Sequence, residues 1–197
     1  MKSNIIYLTL SILTWTACKD NKKEPTTHLT NSTTEKIEMK SVYSEVNGLN
    51  MYYEIYGEGK PIVLIHGGGS TIQSSFEKLI PLLSKNRKVI AVESQAHGRT
   101  NDRNADLSFE QDADDIATLL KNLNIDKADF LGFSNGGTTT LQIAIRHPEI
   151  IDKLILASPL AKRSGVPDWF WGFMSQAKLE NMPEQLKAAY KRVAADT

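Results

Sequence analysis

The chain has 197 residues, of which 41% are hydrophobic and 23% are charged, a composition typical of a globular protein. Lysine plus arginine and aspartate plus glutamate both number 23, so the formal net charge is zero. A protein without a positive field or a basic stripe cannot steer a nucleic-acid backbone, and we therefore exclude nucleic acid as a partner. The length is sufficient for one domain with a substantial core.

The first predicted element is a secretory signal at residues 1–17. Lys2 precedes the apolar run IIYLTLSILTWTA, which at 13 residues is too short to span a bilayer comfortably. Cys18, the only cysteine, follows directly, so the chain has no internal disulfide. The stretch WTAC resembles a bacterial lipobox, although Trp15 stands where leucine is preferred. The alternative is a simple signal peptide with an incidental cysteine. We expect lipidation of Cys18, and export to the bacterial cell envelope with a lipid anchor as the only contact with the membrane.

A flexible tether is predicted to follow the signal. Residues 19–40 are rich in threonine, lysine, asparagine and glutamate, and they contain too few large apolar residues to form a core. The predicted organisation is therefore a signal peptide at 1–17, a lipidated cysteine and tether at 18–40, a folded core at 41–161 and a separate segment at 162–197.

The strands of the core are predicted from their hydrophobic patterns. SVYSEV and MYYEIYG alternate, and Asn47-Gly48 between them is typical of a tight hairpin turn. PIVLIHGGG and KVIAVES contain continuous apolar runs, as strands buried on both faces do. KADFLGF and KLILASP predict two further strands.

Helices are predicted between these strands. STIQSSFEKLIPLLSK has helical spacing, but Pro81 should kink or break it. SFEQDADDIATLLKNL is the clearest helix, because Ser108 and Gln111 form a capping box and carboxylates cluster in the first turns. We expect these carboxylates to be solvated rather than to bind a metal. GGTTTLQIAIRH is stopped by Pro148. Alternating strands and helices predict an α/β fold with a mostly parallel sheet, preceded by an antiparallel hairpin.

One loop carries a candidate nucleophile. Gly132-Phe133-Ser134-Asn135-Gly136 matches G-x-S-x-G at a junction between a strand and a helix. In such a tight turn the serine adopts a strained backbone, and bulky neighbours two positions away would collide across it. The turn directs Oγ out of the sheet edge, towards the positive end of the following helix. Ser134 is therefore the candidate nucleophile, and the alternative is a serine that merely caps the helix.

A second loop at the same sheet edge is rich in glycine. In HGGGS at 66–70, a backbone donor from Gly68 or its neighbour would complete an oxyanion hole with the Asn135 N–H. A phosphate-binding loop is the rival, but the chain has neither G-K-[ST] nor G-x-G-x-x-G with an acidic partner. We expect His66 to hold the loop by hydrogen bonds, and a structural role is also preferred for His97 in ESQAHGRT.

The hairpin, HGGG, AHGRT and GFSNGG, in this order, resemble the alpha/beta-hydrolase superfamily, and the resemblance covers residues 42–161 closely. It implies a sheet in the order 1-2-4-3-5-6-7-8, of which this chain holds strands 1–6 and the start of a lid. It also implies Ser134 as nucleophile, Gly68 and Asn135 as oxyanion donors, and no metal or organic cofactor. A serine rather than an aspartate argues against the epoxide-hydrolase and dehalogenase branches. Glu93 and Ala96 depart from the aspartate and glycine usual in relatives.

The resemblance also implies a triad acid and histidine later in the chain, which are missing. The histidines are His28, His66, His97 and His147. His28 lies in the tether, and His147 ends the helix that begins near Ser134, about 18–20 Å away. His66 and His97 are at the correct sheet edge but not where the family places its base. The chain therefore reads as the N-terminal part of a hydrolase, an incomplete gene product or a fragment, with little or no turnover.

The resemblance implies that residues 162–197 are the start of the lid that follows strand six in such hydrolases. RSGVPDWFWGFMSQ is rich in aromatic residues, and an amphipathic helix is predicted from Pro183. A lid would wall a pocket for an acyl or ring-bearing substrate, whereas ordinary packing is the alternative. Three hypotheses follow: a serine hydrolase that acts on an ester-like or related carbonyl of a small molecule, a non-catalytic surface lipoprotein that keeps the fold for binding, and a non-functional truncation.

Overall fold

The computed structural model describes residues 39–192 and residue 194. The predicted signal peptide, Cys18 and nearly all of the predicted tether lie outside these residues. Within them, the strands are β1 (Met39–Val46), β2 (Leu49–Tyr56), β3 (Lys60–Ile65), β4 (Arg87–Val92), β5 (Ala128–Phe133) and β6 (Ile151–Ala157). The α-helices are α1 (Ile72–Phe76), α2 (Ile80–Leu83), α3 (Phe109–Asn122), α4 (Asn135–Arg146), α5 (Asp168–Ser175) and α6 (Glu184–Lys191).

The strands form one sheet in the order β1-β2-β4-β3-β5-β6. β1 and β2 form the predicted antiparallel hairpin, and their turn residues Asn47 and Gly48 both have positive φ, 48° and 79°. β2 pairs antiparallel with β4, and the other pairs are parallel. The predicted fold class and the expected order of the first six strands are therefore confirmed. β1 begins at Met39, two residues before the predicted boundary at 41.

Helices cover both faces of the central strands. Val63 and Ile65 of β3 pack in a core cluster with α3 and α4, whereas Ile62 and Leu64 pack in a second cluster with α1 and α2. All four side chains are almost fully buried. A strand that is apolar on both sides must be covered on both sides, which is why the PIVLI run is continuous rather than alternating.

The helix predicted at STIQSSFEKLIPLLSK is interrupted, as its proline indicates. α1 ends at Phe76, and α2 begins at Ile80 with Pro81 in its first turn, where the missing N–H has no helical partner to lose. A capping box that the sequence analysis did not identify starts α1, because the Thr71 side chain accepts from Ser74 N–H and the Ser74 hydroxyl accepts from Thr71 N–H.

The acidic start of α3 differs from the prediction. Only half of the capping box forms, since Ser108 Oγ accepts from Gln111 N–H at 3.1 Å while the Gln111 side chain donates to Asp115 at 2.9 Å. The expected solvation is wrong for Asp112 and Asp115, which are 8% and 0% exposed. Asp115 forms an ion pair with Arg103 from the loop before α3. A buried carboxylate is tolerated there because a cation compensates its charge.

The burial of Asp112 predicts a pH dependence of stability. Burial, reinforced by the negative charge of Asp115, raises the pKa of Asp112 to about 7. The native state therefore retains a proton that the unfolded chain loses near pH 4, and the contribution of Asp112 to the free energy of unfolding should fall as pH rises between these values, by about 1.4 kcal/mol per pH unit. His66, whose pKa burial lowers to about 4, contributes with the opposite sign over part of this range. The measurement is therefore the difference in free energy of unfolding between the native sequence and Asp112→Asn from urea unfolding, which should show the fall as pH rises.

The matched control is Asp114→Asn on the same helix. Arg146 lowers the pKa of Asp114, so the ionised form of Asp114 stabilises the fold and its loss should leave the fall in place. Equal pH profiles for the native sequence and Asp112→Asn would contradict the prediction.

Candidate active site

Ser134 occupies a strained turn between β5 and α4. Its φ and ψ are 52° and −113°, and its side chain makes no capping hydrogen bond to α4. The backbone N–H of Ser134 donates to Ala157 O at 2.8 Å, which ties the turn to the end of β6. The side chain is exposed. Holding a non-glycine residue at positive φ costs on the order of 1–3 kcal/mol, so the surrounding structure must impose this conformation on Ser134. The alternative of a helix-capping serine is not what the structure shows.

The glycines on either side of Ser134 are sterically required. A Cβ on Gly132 would lie closer than 3.0 Å to Gly136 O, and a Cβ on Gly136 would lie closer than 3.0 Å to Ile65 O. Gly136 N–H also donates to His66 O at 3.0 Å. The turn after β5 is therefore held against the carboxyl end of β3, where the glycine-rich loop begins.

The glycine-rich loop and the serine turn lie side by side. A Cβ on Gly67 would be 3.6 Å from Ser134 Cβ, and a Cβ on Gly68 would be 3.5 Å from Asn135 Cβ. Within the described residues, neither the N–H groups of Gly68 and Asn135 nor Ser134 Oγ has a hydrogen-bond partner. The sequence-predicted nucleophile and both predicted oxyanion donors thus meet at one edge of the sheet, with their hydrogen-bonding groups available to a ligand.

The two histidines at this edge, His66 and His97, use their ring nitrogens in hydrogen bonds to the loops around them. Ser94 N–H donates to His66 Nε2 at 3.2 Å, so Nδ1 carries the proton and donates to Gly67 O at 2.8 Å. Burial lowers the pKa of His66 to about 4, which keeps the ring neutral. Both ring nitrogens are therefore engaged, in agreement with the structural role expected for His66.

His97 is held in the same way. Gly69 N–H donates to His97 Nε2 at 3.0 Å, and His97 Nδ1 donates to Gln95 O at 2.8 Å. The ring centroids of His66 and His97 are 5.0 Å apart. The two imidazoles join the loop after β3 to the loop after β4, and neither has a free nitrogen with which to deprotonate a serine.

His147 lies at the opposite end of α4 from Ser134. Its Nε2 is 2.7 Å from Asp114 Oδ1, and Arg146 binds the same carboxylate with Nε and Nη2. This cluster ties the C-terminus of α4 to α3. It is not part of the candidate site.

An ion network between β2 and the loop after β4, with two buried glutamates, was not identified from the sequence. Arg99 binds Glu93 Oε1 at 2.5 Å and Glu54 Oε1 at 3.2 Å, and its guanidinium lies 4.0 Å from the centre of the Tyr52 ring. Glu93 and Glu54 are 0% and 1% exposed. Burial and a hydrogen bond to Glu54 raise the pKa of Tyr52 to about 12, so its hydroxyl remains a donor. The network joins β2 to the loop after β4.

The same network reaches the glycine-rich loop through α1. Arg99 Nη2 donates to Gln73 Oε1 at 2.6 Å, and Gln73 Nε2 donates to Glu54 at 2.9 Å. The Glu93 carboxylate also packs against Gly98, and a Cβ on Gly98 would lie closer than 3.0 Å to it. Glu93 was noted only as a departure from the family pattern, and no local sequence signal indicates partners so far away in the chain.

Ala96, the other departure, adopts a conformation that favours glycine. Its φ is 57°, in the left-handed region. Alanine at this position is strained, which gives a physical reason for the glycine usual in relatives.

A cavity of about 620 Å³ lies beside the glycine-rich loop. Its polar wall includes Gly69, Ser74 and His97, and its apolar wall is formed by Met182 and Leu186 on and before α6. Within the described residues, none of the helices is long and apolar enough to cross a bilayer. The same residues contain no cluster of three or more acidic, histidine or cysteine side chains suited to a metal ion.

Comparisons with known proteins agree with this architecture. The family model for the alpha/beta hydrolase fold matches residues 60–192. The chain is 32% identical over 127 residues to 2-hydroxy-6-oxo-6-(2'-aminophenyl)hexa-2,4-dienoic acid hydrolase of Metapseudomonas resinovorans, which covers 62% of this chain and 44% of the relative. It is 38% identical over 104 residues to 2-hydroxymuconate semialdehyde hydrolase of Pseudomonas sp. strain CF600, covering 51% and 36%. The chain thus spans less than half the length of these relatives.

Solved structures give the same result. A meta-cleavage product hydrolase from Pseudomonas fluorescens IP01 superposes with a TM-score of 0.59 at 32% identity, over 64% of this chain and 47% of that one. The enol-lactonase from Burkholderia xenovorans LB400 superposes with a TM-score of 0.58 at 30% identity, over 61% and 47%. With its family match, its strand order and the strained serine turn after β5, this chain belongs to the alpha/beta hydrolase fold family.

Proposed function

We propose that this protein is a serine hydrolase that attacks an ester-like or related carbonyl of a small molecule with Ser134. The observation that carries the proposal is the conformation of Ser134, whose backbone is forced to positive φ while its Oγ caps nothing. Strain of this kind persists only where the surrounding structure maintains it, and it is concentrated at functional sites. The relatives that hydrolyse a dienoic acid and a semialdehyde support a small substrate with a carbonyl group.

In the proposed reaction, Ser134 Oγ adds to the substrate carbonyl carbon and the carbonyl oxygen becomes an oxyanion. The N–H groups of Gly68 and Asn135 donate hydrogen bonds to this oxygen, and the N-terminus of α4 adds a favourable potential. Each donor of this type contributes about 3 kcal/mol to transition-state stabilisation. A serine and two backbone amides require neither a metal nor an organic cofactor for this step.

The proton of Ser134 needs a base, which the described histidines do not supply. His66 and His97 use both ring nitrogens within the loops, and His147 binds Asp114 at the far end of α4. Without a base, a serine hydroxyl is a weak nucleophile at neutral pH. We therefore propose that residues 1–197 alone turn over little or no substrate.

Because His66, His97 and His147 are all engaged in structural hydrogen bonds, a second candidate is a non-catalytic lipoprotein that uses this fold to bind a small molecule. In both cases export and lipidation at Cys18 are proposed to place the protein in the bacterial cell envelope, facing the periplasm or the cell surface. The two candidates differ in whether Ser134 can be made to react covalently.

Labelling with a fluorophosphonate probe separates the candidates. We expect the full chain to label slowly at Ser134, and added imidazole to accelerate labelling roughly tenfold by acting as the general base that the described histidines do not supply. Labelling should disappear in Ser134→Ala. Intact-mass and peptide mass spectrometry measure the rate and locate the adduct.

Ser158 provides the matched control. It is also a serine with positive φ, 54°, at the end of the neighbouring strand β6. Ser158→Ala should label like the native sequence. A folded protein that stays unlabelled in the presence of imidazole would contradict the nucleophile and leave the binding protein as the better candidate.

A further inference from the structure

Two consecutive peptide groups of the glycine-rich loop are each bound by one imidazole. His66 Nδ1 donates to Gly67 O at 2.8 Å, and Gly69 N–H donates to His97 Nε2 at 3.0 Å. The peptide bond between Gly67 and Gly68 is planar and trans, so Gly68 N–H points away from Gly67 O. The candidate oxyanion donor therefore belongs to the peptide group that His66 fixes, and the next peptide group is the one that His97 fixes.

The hydrogen bond to His97 supplies a constraint that packing does not supply at Gly69. The φ of Gly69 is 64°, and no described atom lies within 4 Å of the position that a Cβ would take there. Glycine also has more backbone freedom than any other residue. Without the bond to His97, the chain on the C-terminal side of Gly68 is free to rotate, and the direction of the Gly68 N–H is less well fixed.

This hydrogen bond requires a neutral His97 ring. Nδ1 donates its proton to Gln95 O at 2.8 Å, so Nε2 can accept from Gly69 N–H only while it carries no proton. Protonation would place two N–H groups face to face. Histidine is the side chain that ordinarily changes charge between pH 5 and 8.

The two histidines differ in their access to protons from solvent. His66 is 1% exposed, and burial lowers its pKa to about 4, so it stays neutral above that pH. His97 is only partly buried and lies on the wall of the cavity of about 620 Å³. Mild acid therefore acts on the bond to Gly69 and leaves the bond to Gly67 in place.

The charged groups around His97 do not bind its ring. They are Glu93 and Arg99 on its own loop, Glu77 after α1 and Arg192 after α6, with the neutral His66 on the loop after β3. Glu93 and Arg99 pair with each other at 2.5 Å, and Glu77 and Arg192 carry opposite charges on the cavity wall. Among the described residues, no carboxylate accepts a hydrogen bond from His97, so an imidazolium there would have no anionic partner.

We propose that His97 is a positioning residue, which holds Gly68 N–H in the oxyanion hole through Gly69, and that protonation of its ring switches this support off. The inference rests on the function proposed above and adds its regulation: the site is competent at neutral pH and impaired in mild acid. His97 does not touch the reacting atoms. It acts through the backbone of the loop.

His97→Gln tests the proposal in the full chain. Glutamine can place Oε1 close to the position of the imidazole Nε2, and it accepts a hydrogen bond at every pH. Fluorophosphonate labelling of Ser134 is measured between pH 8 and pH 5 at constant imidazole concentration. The result is the ratio of the native rate to the His97→Gln rate, in which the ionisation of imidazole cancels. We expect this ratio to fall roughly tenfold towards pH 5, less than the hundredfold or more that loss of an oxyanion donor costs.

His97→Phe and His147→Gln complete the set. His97→Phe has no acceptor and should label slowly at every pH, whereas His147→Gln, at the far end of α4, should show the same fall in acid as the native sequence. A ratio that does not change with pH would overturn the proposal. So would a His97→Phe protein that is less stable to urea but labels at the native rate when folded, because His97 would then support the fold alone.

The amide signal of Gly69 separates this inference from the proposed function. A protein that is never labelled contradicts Ser134 as nucleophile, but its Gly69 N–H can still be observed. Labelling with ¹⁵N-glycine leaves twelve glycine amides, and Gly69→Ala identifies the signal of Gly69. Between pH 8 and pH 5 we expect this signal to shift, and its hydrogen exchange to lose protection, in the native sequence relative to His97→Gln. An equal response in both proteins would overturn the role of His97 even if Ser134 reacts.

Discussion

Replacing Gly136 with alanine is expected to destabilise the protein by about 3–5 kcal/mol, more than the roughly 1–3 kcal/mol that an added methyl group usually costs in a packed interior. The new Cβ would lie closer than 3.0 Å to Ile65 O and 2.5 Å from His66 O. Both oxygens belong to the backbone at the end of β3, which cannot move without breaking its pairing with β4 and β5. The helix start would instead be displaced, and the hydrogen bond from Gly136 N–H to His66 O would be lost.

Urea unfolding measures this change, and Gly68→Ala is its control. A Cβ on Gly68 would meet only the Asn135 side chain, at 3.5 Å, which is an ordinary contact. Gly68→Ala should therefore leave the free energy of unfolding within about 1 kcal/mol of the native value. If the two substitutions have equal effects, the turn is not held against β3 as described.

The result also bears on how a sequence specifies this site. The G-x-S-x-G spacing predicts the turn because the steric conflict across it is local: residues 132 and 136 face each other whatever the rest of the chain does. The buried strands are predictable for a similar reason, since a continuous apolar run needs cover on both faces. The turn and the individual strands follow from patterns within a few residues, whereas the order of the strands in the sheet was expected only from the resemblance to the hydrolase superfamily.

The burial of the acidic side chains on α3 was not predictable in this way. Carboxylates in the first turns of a helix favour solvent and the helix dipole, which is the usual outcome. Here Asp115 accepts from Asn47 Nδ2 at 2.9 Å and pairs with Arg103. Asn47 comes from the hairpin turn, 68 residues earlier in the chain. No periodicity reveals a partner at that separation, so the tertiary fold overrides the local preference.

The network around Arg99 has the same origin. Its carboxylate partners come from β2 and from the end of β4, 45 and 6 residues away. Glu54, Glu93 and Arg99 are all visible in the sequence, but no pattern indicates that the two glutamates would be buried around the arginine. The glutamate at 93 was visible only as a departure from a family pattern.

Removing one charge from this network should have the second large effect. Glu93→Gln keeps the size of the side chain but leaves Arg99 with a single carboxylate, that of Glu54. Because Glu93 is 0% exposed and accepts from Arg99 through both oxygens, we expect a loss of about 3–5 kcal/mol, the cost of breaking a buried pair from one side.

A double-mutant cycle with Arg99→Met decides whether the loss belongs to the pair. In a chain that already lacks the guanidinium, Glu93 is a buried charge without its cation, and Glu93→Gln should then be neutral or stabilising. Urea unfolding of the four proteins gives the coupling energy. A loss of the same size in both backgrounds would show that Glu93 acts through other contacts, such as Ile72 N–H at 3.4 Å.

The outcome of this cycle also shows whether the ion network around Arg99 supports the glycine-rich loop. Arg99 holds Gln73 at 2.6 Å, and Gln73 belongs to the helix that starts directly after that loop. If the cycle shows strong coupling, the ion network fixes α1 against β2 and thereby the position of the Gly68 N–H relative to Ser134. Glu93→Gln should then also slow the imidazole-assisted labelling of Ser134, whereas a merely stabilising network would leave the labelling rate of the folded protein unchanged.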